Sequence, residues 1–343
     1  MLSGLLWPIH LHPKADELLS SWLVRLAHGH GMKAESFTHL IFGGERRVWN
    51  RDIDRSGPDW LIETLAIQTA TPIKQAKGTA FKHVYEGKLY TQHTETGALK
   101  WITLVNVYSQ NRKAHGQHFC PQCLAEDETP YFRKAWRVAL YTFCPKHNIM
   151  MHDRCSECGA PVVFHRREMG RKEWKFDEKL SWCTACGFDL SLAEHVQVSV
   201  WHKTIHTTWK QLLRKIDRDG KGITPYESEQ LMVLHQLCKL FRSQRSAPKL
   251  LGYVCDETRQ KIPIAPTHDK FYLEQVSVMQ RHQLIGLALW LLQDWPNGLR
   301  EAWKYGAVRY NVLTKDMDVV PDWYAEVVQG MKVHYLFKMI IRI

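Results

Sequence analysis

The sequence predicts a mainly α-helical protein with small β elements confined to a cysteine-rich middle. Three observations support this. On both flanks, apolar residues recur at three- and four-residue spacing, the pattern of a helix with one buried face. In the middle, seven cysteines and one histidine form four pairs: Cys120 and Cys123, Cys144 and His147, Cys155 and Cys158, Cys183 and Cys186. Each pair has two residues between its members. Across 343 residues the hydrophobic share is 45%, ordinary for globular cores and too high for a disordered chain.

The first block, residues 1–117, reads as an N-terminal helix-turn-helix domain. Asp16 is placed to cap a helix with apolar positions Leu18, Leu19, Trp22, Leu23 and Leu26. His28-Gly29-His30-Gly31 ends it. Glu35 to Phe42 makes a second short helix, closed by Gly43-Gly44. A second such unit follows, Asp59 to Thr69 and then Pro72 to Ala80, with the proline in the first turn. Units of this kind read DNA through their second helix, and they also serve simply as packing units; the sequence leaves both open. Residues 84–108 alternate and are rich in Tyr, Thr and Val, which predicts a small hairpin.

The second block, 118–192, holds the four pairs. Two residues between ligands let one tight turn aim both at the same ion, and two pairs close a tetrahedral site, so four pairs predict two tandem zinc fingers with zinc-ribbon β elements. An odd number of thiols argues against disulfides, which would also give His147 no role. Sequential pairing puts Cys120, Cys123, Cys144 and His147 on one ion and Cys155, Cys158, Cys183 and Cys186 on the other. A RING-like cross-brace would instead couple first to third and second to fourth. Asn148 to Arg154, seven residues, is a long connection for a RING and reads as a short strand, which favours tandem sites. Four protein ligands leave no open position, so the metals are expected to be structural. Trp136, Val138, Leu140 and Phe143 are expected to pack over the first site.

The third block, 193–343, is predicted to be helical: Trp201 to Ile216, Glu229 to Arg242, Glu274 to Gln293 as the longest helix, stopped by Pro296 and Gly298, and Asp322 to Met331. Cys238 and Cys255 read as buried core thiols.

A net charge of +11 points to an anionic partner, nucleic acid first. Arg166, Arg167, Arg171, Lys172 and Lys175 share a loop inside the second zinc unit. Lys203, Lys210, Arg214, Lys215, Arg218 and Lys221 follow on a helix and its exit. Either set is a nucleic-acid or partner contact, or only a solvated face. Most of the 14 tryptophans read as core. No P-loop, H-E-x-x-H or G-x-S-x-G occurs. Reduced thiols imply a cytoplasmic protein. The longest apolar run, Leu284 to Leu292, is short for a membrane span, and Met1 to Ile9 lacks the form of a signal peptide.

Three stretches together resemble the TniQ/TnsD family of transposon target-selection proteins. They are Pro13 to Ala27, with Glu-Leu-Leu-Ser-Ser-Trp-Leu-Val-Arg-Leu-Ala at its end; Phe119 to Leu124 with Tyr131, Trp136-Arg137, Cys144-Pro-Lys-His147 and Asp153 to Gly159; and Ala288 to Pro296 with Trp323-Tyr324. His28-Gly-His-Gly departs from the family's single glycine. The resemblance is nearest to TniQ of CRISPR-associated transposons, although in simpler transposons TniQ works without CRISPR and the sequence alone does not choose between them. The long additional carboxyl-terminal region of TnsD proteins is not matched, which argues against direct reading of a fixed attachment site. It implies a non-catalytic adaptor coupling a target-DNA recognition module to the AAA+ ATPase TnsC and so to the transposase. In CRISPR-associated systems that module is a guide-RNA-containing Cascade, on which TniQ docks as a homodimer. Trp22, Leu26, Phe37 and Phe42 are the positions expected to contribute to such a dimer.

Overall fold

The computed structural model describes residues 6–43, 48–94, 97–105, 115–166, 179–270 and 272–340, the side chains of Arg166 and 334–340 excepted. Helix α1 (Leu19–Gly29) buries every residue from Leu19 to Ala27, so it is a central rather than a surface helix. Its cap position is Leu18, not Asp16. Asp16 adopts a left-handed φ of 58°. Its carbonyl accepts the Lys134 amide at 2.7 Å and its carboxylate the Ala135 amide at 3.3 Å. The middle block has taken the groups that the sequence assigned to a helix cap. Helix α2 (Ala34–Phe42) ends at Gly43, whose φ of 72° suits glycine.

Helix α3 (Ile53–Ser56), capped by Asp52, was not expected. Helices α4 (Asp59–Gln68) and α5 (Ile73–Lys77) form the second unit, with α5 ending before Ala80. The expected hairpin over 84–108 is absent among the described residues, and 106–108 lie outside them. Turns deliver Tyr85, Leu89, Tyr90, Leu99, Trp101 and Ile102 separately into the core. Among the described residues of this stretch the bridges are isolated ones, Glu86 with Tyr90 and Ile102 with Val138. Burial of each aromatic has overridden strand propensity.

The middle block starts with α6 (Pro121–Glu126). Among the described residues its β content is isolated bridges, not ladders. Asn148 to Arg154 is joined by four, to Gln197, Phe143, Phe119 and Pro161. Beyond it lie α7 (Lys203–Ile216), α8 (Pro225–Phe241), α9 (Leu250–Thr258), α10 (Val278–Gln293), α11 (Asn297–Lys304), α12 (Tyr310–Leu313) and α13 (Asp322–Ile340). The longest helix is α13 with 19 residues, not α10. Helix α8 starts earlier than predicted, at a capping box of Thr224 and Glu227. Pro296 and Gly298 do not simply stop a helix; they open α11. Among the described residues no helix is long and apolar enough to cross a membrane. Cys238 and Cys255 are buried.

Apolar residues from all three blocks form one continuous core, and the middle block joins the other two. Toward the N-terminus, the Leu18 amide donates to Phe132 O at 2.9 Å and the Phe132 amide donates to Ser21 Oγ at 3.0 Å. Buried Arg137 pairs with Asp52 at 2.6 Å and Asp54 at 3.4 Å and donates to Thr103 O at 2.7 Å. Asp54 in turn accepts from the amide and hydroxyl of Ser20, both at 2.7 Å. Glu17 and Arg25 form a buried pair at 2.6 Å. The polar residues of the Glu17 to Ala27 stretch are thus internal fasteners. Toward the C-terminus, Tyr141 donates to Asp217 at 2.8 Å, Trp209 Nε1 to Leu140 O at 3.1 Å, and the Val278 amide to Asp153 at 2.6 Å. Phe143, beside Cys144, packs against the rings of His206, Trp209 and His282.

The core also claims the residues expected at a dimer contact. Trp22 and Leu26 are fully buried and Phe37 is 3% exposed, so these three are inaccessible to a second copy. Phe42 is half-buried against the Trp60 ring.

Candidate metal centres

Three of the four ligand pairs share one local geometry. In each, the amide of the first ligand donates to the carbonyl five residues on: Cys144 to Ile149 at 2.8 Å, Cys155 to Ala160 at 2.9 Å, Cys183 to Phe188 at 2.7 Å. The residue after the second ligand turns left-handed, at Asn148, Gly159 and Gly187. Two of these are glycine and one asparagine, the residue types that tolerate that conformation. The fourth pair is built differently. Cys120 precedes α6 and its sulfur accepts the Cys123 amide at 3.5 Å, so a helix start sets the spacing.

These turns bring Cys120, Cys123, Cys144 and His147 together, and separately Cys155, Cys158, Cys183 and Cys186, with the ligand atoms of each set within 4.8 Å of one another. The pairing is sequential, and a cross-brace is not formed. Sulfur separations are 3.7 Å for Cys123 to Cys144, Cys155 to Cys186 and Cys158 to Cys183. His147 Nδ1 lies 3.3, 3.4 and 3.5 Å from the sulfurs of Cys120, Cys123 and Cys144. A tetrahedral zinc with its usual bond lengths has edges of about 3.8 Å between sulfurs and about 3.6 Å from sulfur to nitrogen. Both donor sets fit such an ion in size and chemistry, and both are closed. The first is mostly buried; in the second, Cys158 and Cys186 are exposed.

A partner for His147 was not anticipated. Its Nε2, the nitrogen facing away from the sulfurs, lies 3.0 Å from both oxygens of Glu126. Lys146 binds the same carboxylate at 2.5 Å, and this contact, followed by that to His147, holds the Glu126 carboxyl below its ordinary range. A carboxylate behind a ligating imidazole fixes the tautomer that leaves Nδ1 free for metal and raises its basicity. Within the sulfur set, hydrogen bonds with Cys120 and Cys123, then the amides of His147 and Lys146, lower the Cys144 thiol, while Cys120 and Cys123 are raised. A thiolate is the form a cation needs.

The basic residues fare unevenly. Arg167, Arg171, Lys172 and Lys175, and the side chain of Arg166, lie outside the described residues. On α7, Lys215 is spent on Glu227 at 2.5 Å and Lys210 reaches Asn148 at 3.3 Å, while Arg214 is exposed.

Two closed sets of candidate metal ligands thus lie inside a helical chain. Residues 8–151 match the TniQ family model. This stretch of the chain is a TniQ domain, the domain of a family of transposition target selection. The match takes in α1 to α6 and the whole first ligand set, and ends before Cys155. No curated protein matches the chain significantly.

Proposed function

We propose that this chain is a non-enzymatic target-selection adaptor, linking a target-DNA recognition complex to the AAA+ regulator TnsC and the transposase. What supports it is the TniQ match over residues 8–151, which coincides with the fastener network of α1 and the first ligand set. The two donor sets are read as structural zinc sites, two ions per chain. Thiolate and imidazole ligands select zinc without redox chemistry, and reduced thiols suit the cytoplasm. The blocks at 1–117, 118–192 and 193–343 are read as three functional segments sharing one core. An RNA-guided Cascade is the recognition complex the resemblance favours, with a homodimer docking on it.

The test is co-purification of the zinc-loaded chain with TnsC and with Cascade from the same transposon. Capture of both is expected, with a dimer mass by light scattering of the complex. Failure to bind TnsC overturns the adaptor reading. A second reading, direct selection of duplex DNA in the TnsD manner, draws on the two helix-turn-helix outlines. It predicts salt-dependent duplex binding with sequence preference and no need for a guide complex.

A further inference from the structure

One cavity lies far along the chain from the metal centres. It measures about 280 Å³ and opens beside the C-terminal end of α8. Its size is at the lower edge of ligand pockets, room enough for one backbone unit of a nucleic acid. Four fixed cations, Lys239, Arg245, Lys270 and Lys315, line it against two carboxylates, Asp269 and Asp316. Lys239 is held by Asp316 at 3.0 Å. Arg245 and Lys315 are exposed and neither forms a close ion pair among the described residues, although Lys315 joins Lys239 in acting on the Asp316 carboxyl from a distance.

The walls are fixed by buried and backbone hydrogen bonds. Gln236, 5% exposed, donates to the carbonyls of Val312 at 3.3 Å and Lys315 at 2.8 Å, which pins the Lys315 wall to α8. On the other side, the Thr267 amide donates to Arg242 O at 2.8 Å and the Gln244 amide to Thr267 O at 3.0 Å. The end of a helix is ordinarily unfavourable for an anion, because its free carbonyls are negative. Here part of that negative end is occupied: Lys239 O accepts from Arg242 and Leu240 O from Ser243, and the Arg242 O just beyond accepts from Thr267. The Ser243 hydroxyl accepts from the Ser246 amide at 3.0 Å and keeps its proton to donate.

We propose that this cleft binds the phosphodiester backbone of a nucleic acid, with Arg245 and Lys315 gripping adjacent phosphates and Lys239 and Ser243 supporting from the floor. Guanidinium and ammonium groups flanking a polar floor recognise phosphate without reading bases. This site is distinct from the basic face of α7 and does not depend on which recognition complex the protein serves.

The experiment uses the full-length, zinc-loaded protein and the double variant Arg245→Gln/Lys315→Gln. Both side chains are exposed, so melting temperature and zinc content should match wild type. Binding of a labelled oligothymidylate of about twelve nucleotides is followed by anisotropy from low to near-physiological salt. Two lost contacts should lower the slope of log K against log salt by about 1.4, at about 0.7 per phosphate for a single strand. An unchanged slope and affinity overturns the site. A parallel titration with AMP separates the sources of phosphate. Loss of AMP binding with oligonucleotide binding intact would make the cleft a nucleotide pocket and also overturns the proposal.

Discussion

Replacing Arg137 with methionine should be among the most damaging single changes outside the ligands. The guanidinium is 1% exposed and stands between two carboxylates, Asp52 at 2.6 Å and Asp54 at 3.4 Å. Asp54 is already strained: burial, then the neighbouring Asp52 charge, push its carboxyl up to about 6 despite Arg137. Removing the cation leaves two carboxylates facing each other in the core. Breaking a buried pair in this way costs about 3–5 kcal/mol, a large part of the roughly 5–15 kcal/mol that stabilises a domain. The loss should also depend on pH. A carboxyl raised in the folded state favours folding while protonated, and that contribution disappears as pH rises through its folded value. The variant's deficit should therefore be greatest at pH 7–8 and shrink toward pH 5, where Asp54 takes up a proton. Urea denaturation of wild type, Arg137→Met and Arg137→Met/Asp54→Asn at several pH values measures this. The double variant should recover part of the stability at pH 8. A deficit below about 1 kcal/mol, or one flat from pH 5 to 8, would refute the assignment of Arg137 as the fastener between α3 and the middle block.

Three further outcomes are expected. Metal analysis should find two zincs per chain, and Cys123→Ser and Cys158→Ser should each lose one and become protease-sensitive, since a structural zinc contributes about 10–16 kcal/mol; a soluble, resistant double variant without metal would contradict this. Glu126→Ala should weaken the first ion alone by about 10- to 100-fold, read by competition with a chromogenic chelator, and equal loss from both sites would count against the His147–Glu126 contact. Asp16, pushed up to about 7 by burial despite Lys134, should penalise folding increasingly from about pH 4 to 7; Asp16→Asn keeps an acceptor for the Ala135 amide and should flatten that dependence in thermal melts, raising stability most at pH 8.

The metal ligands were legible because their geometry is local. Two intervening residues and a following glycine or asparagine define the turn wherever it lies, and the long His147 to Cys155 connection told sequential from crossed pairing. The helices α1, α2, α4, α7 and α10 were legible through the spacing of their apolar residues. Helix α9 carried the same signal in Leu250, Leu251, Val254 and Cys255, all buried, but it went unread. Other features depended on distant parts of the chain. Asp16 looked like a cap until Lys134 and Ala135 met it. Tyr- and Val-rich spacing looked like a hairpin until separate core positions claimed Tyr85, Tyr90 and Trp101. Trp22, Leu26 and Phe37 looked available to a second copy until the chain buried them. Glu126 behind His147 and Arg137 between Asp52 and Asp54 join residues 21 and 85 apart in sequence. Sequence by itself determined what each short turn and helix face can do. Tertiary structure decided which charges meet, because pairing of buried groups depends on positions that only packing brings together.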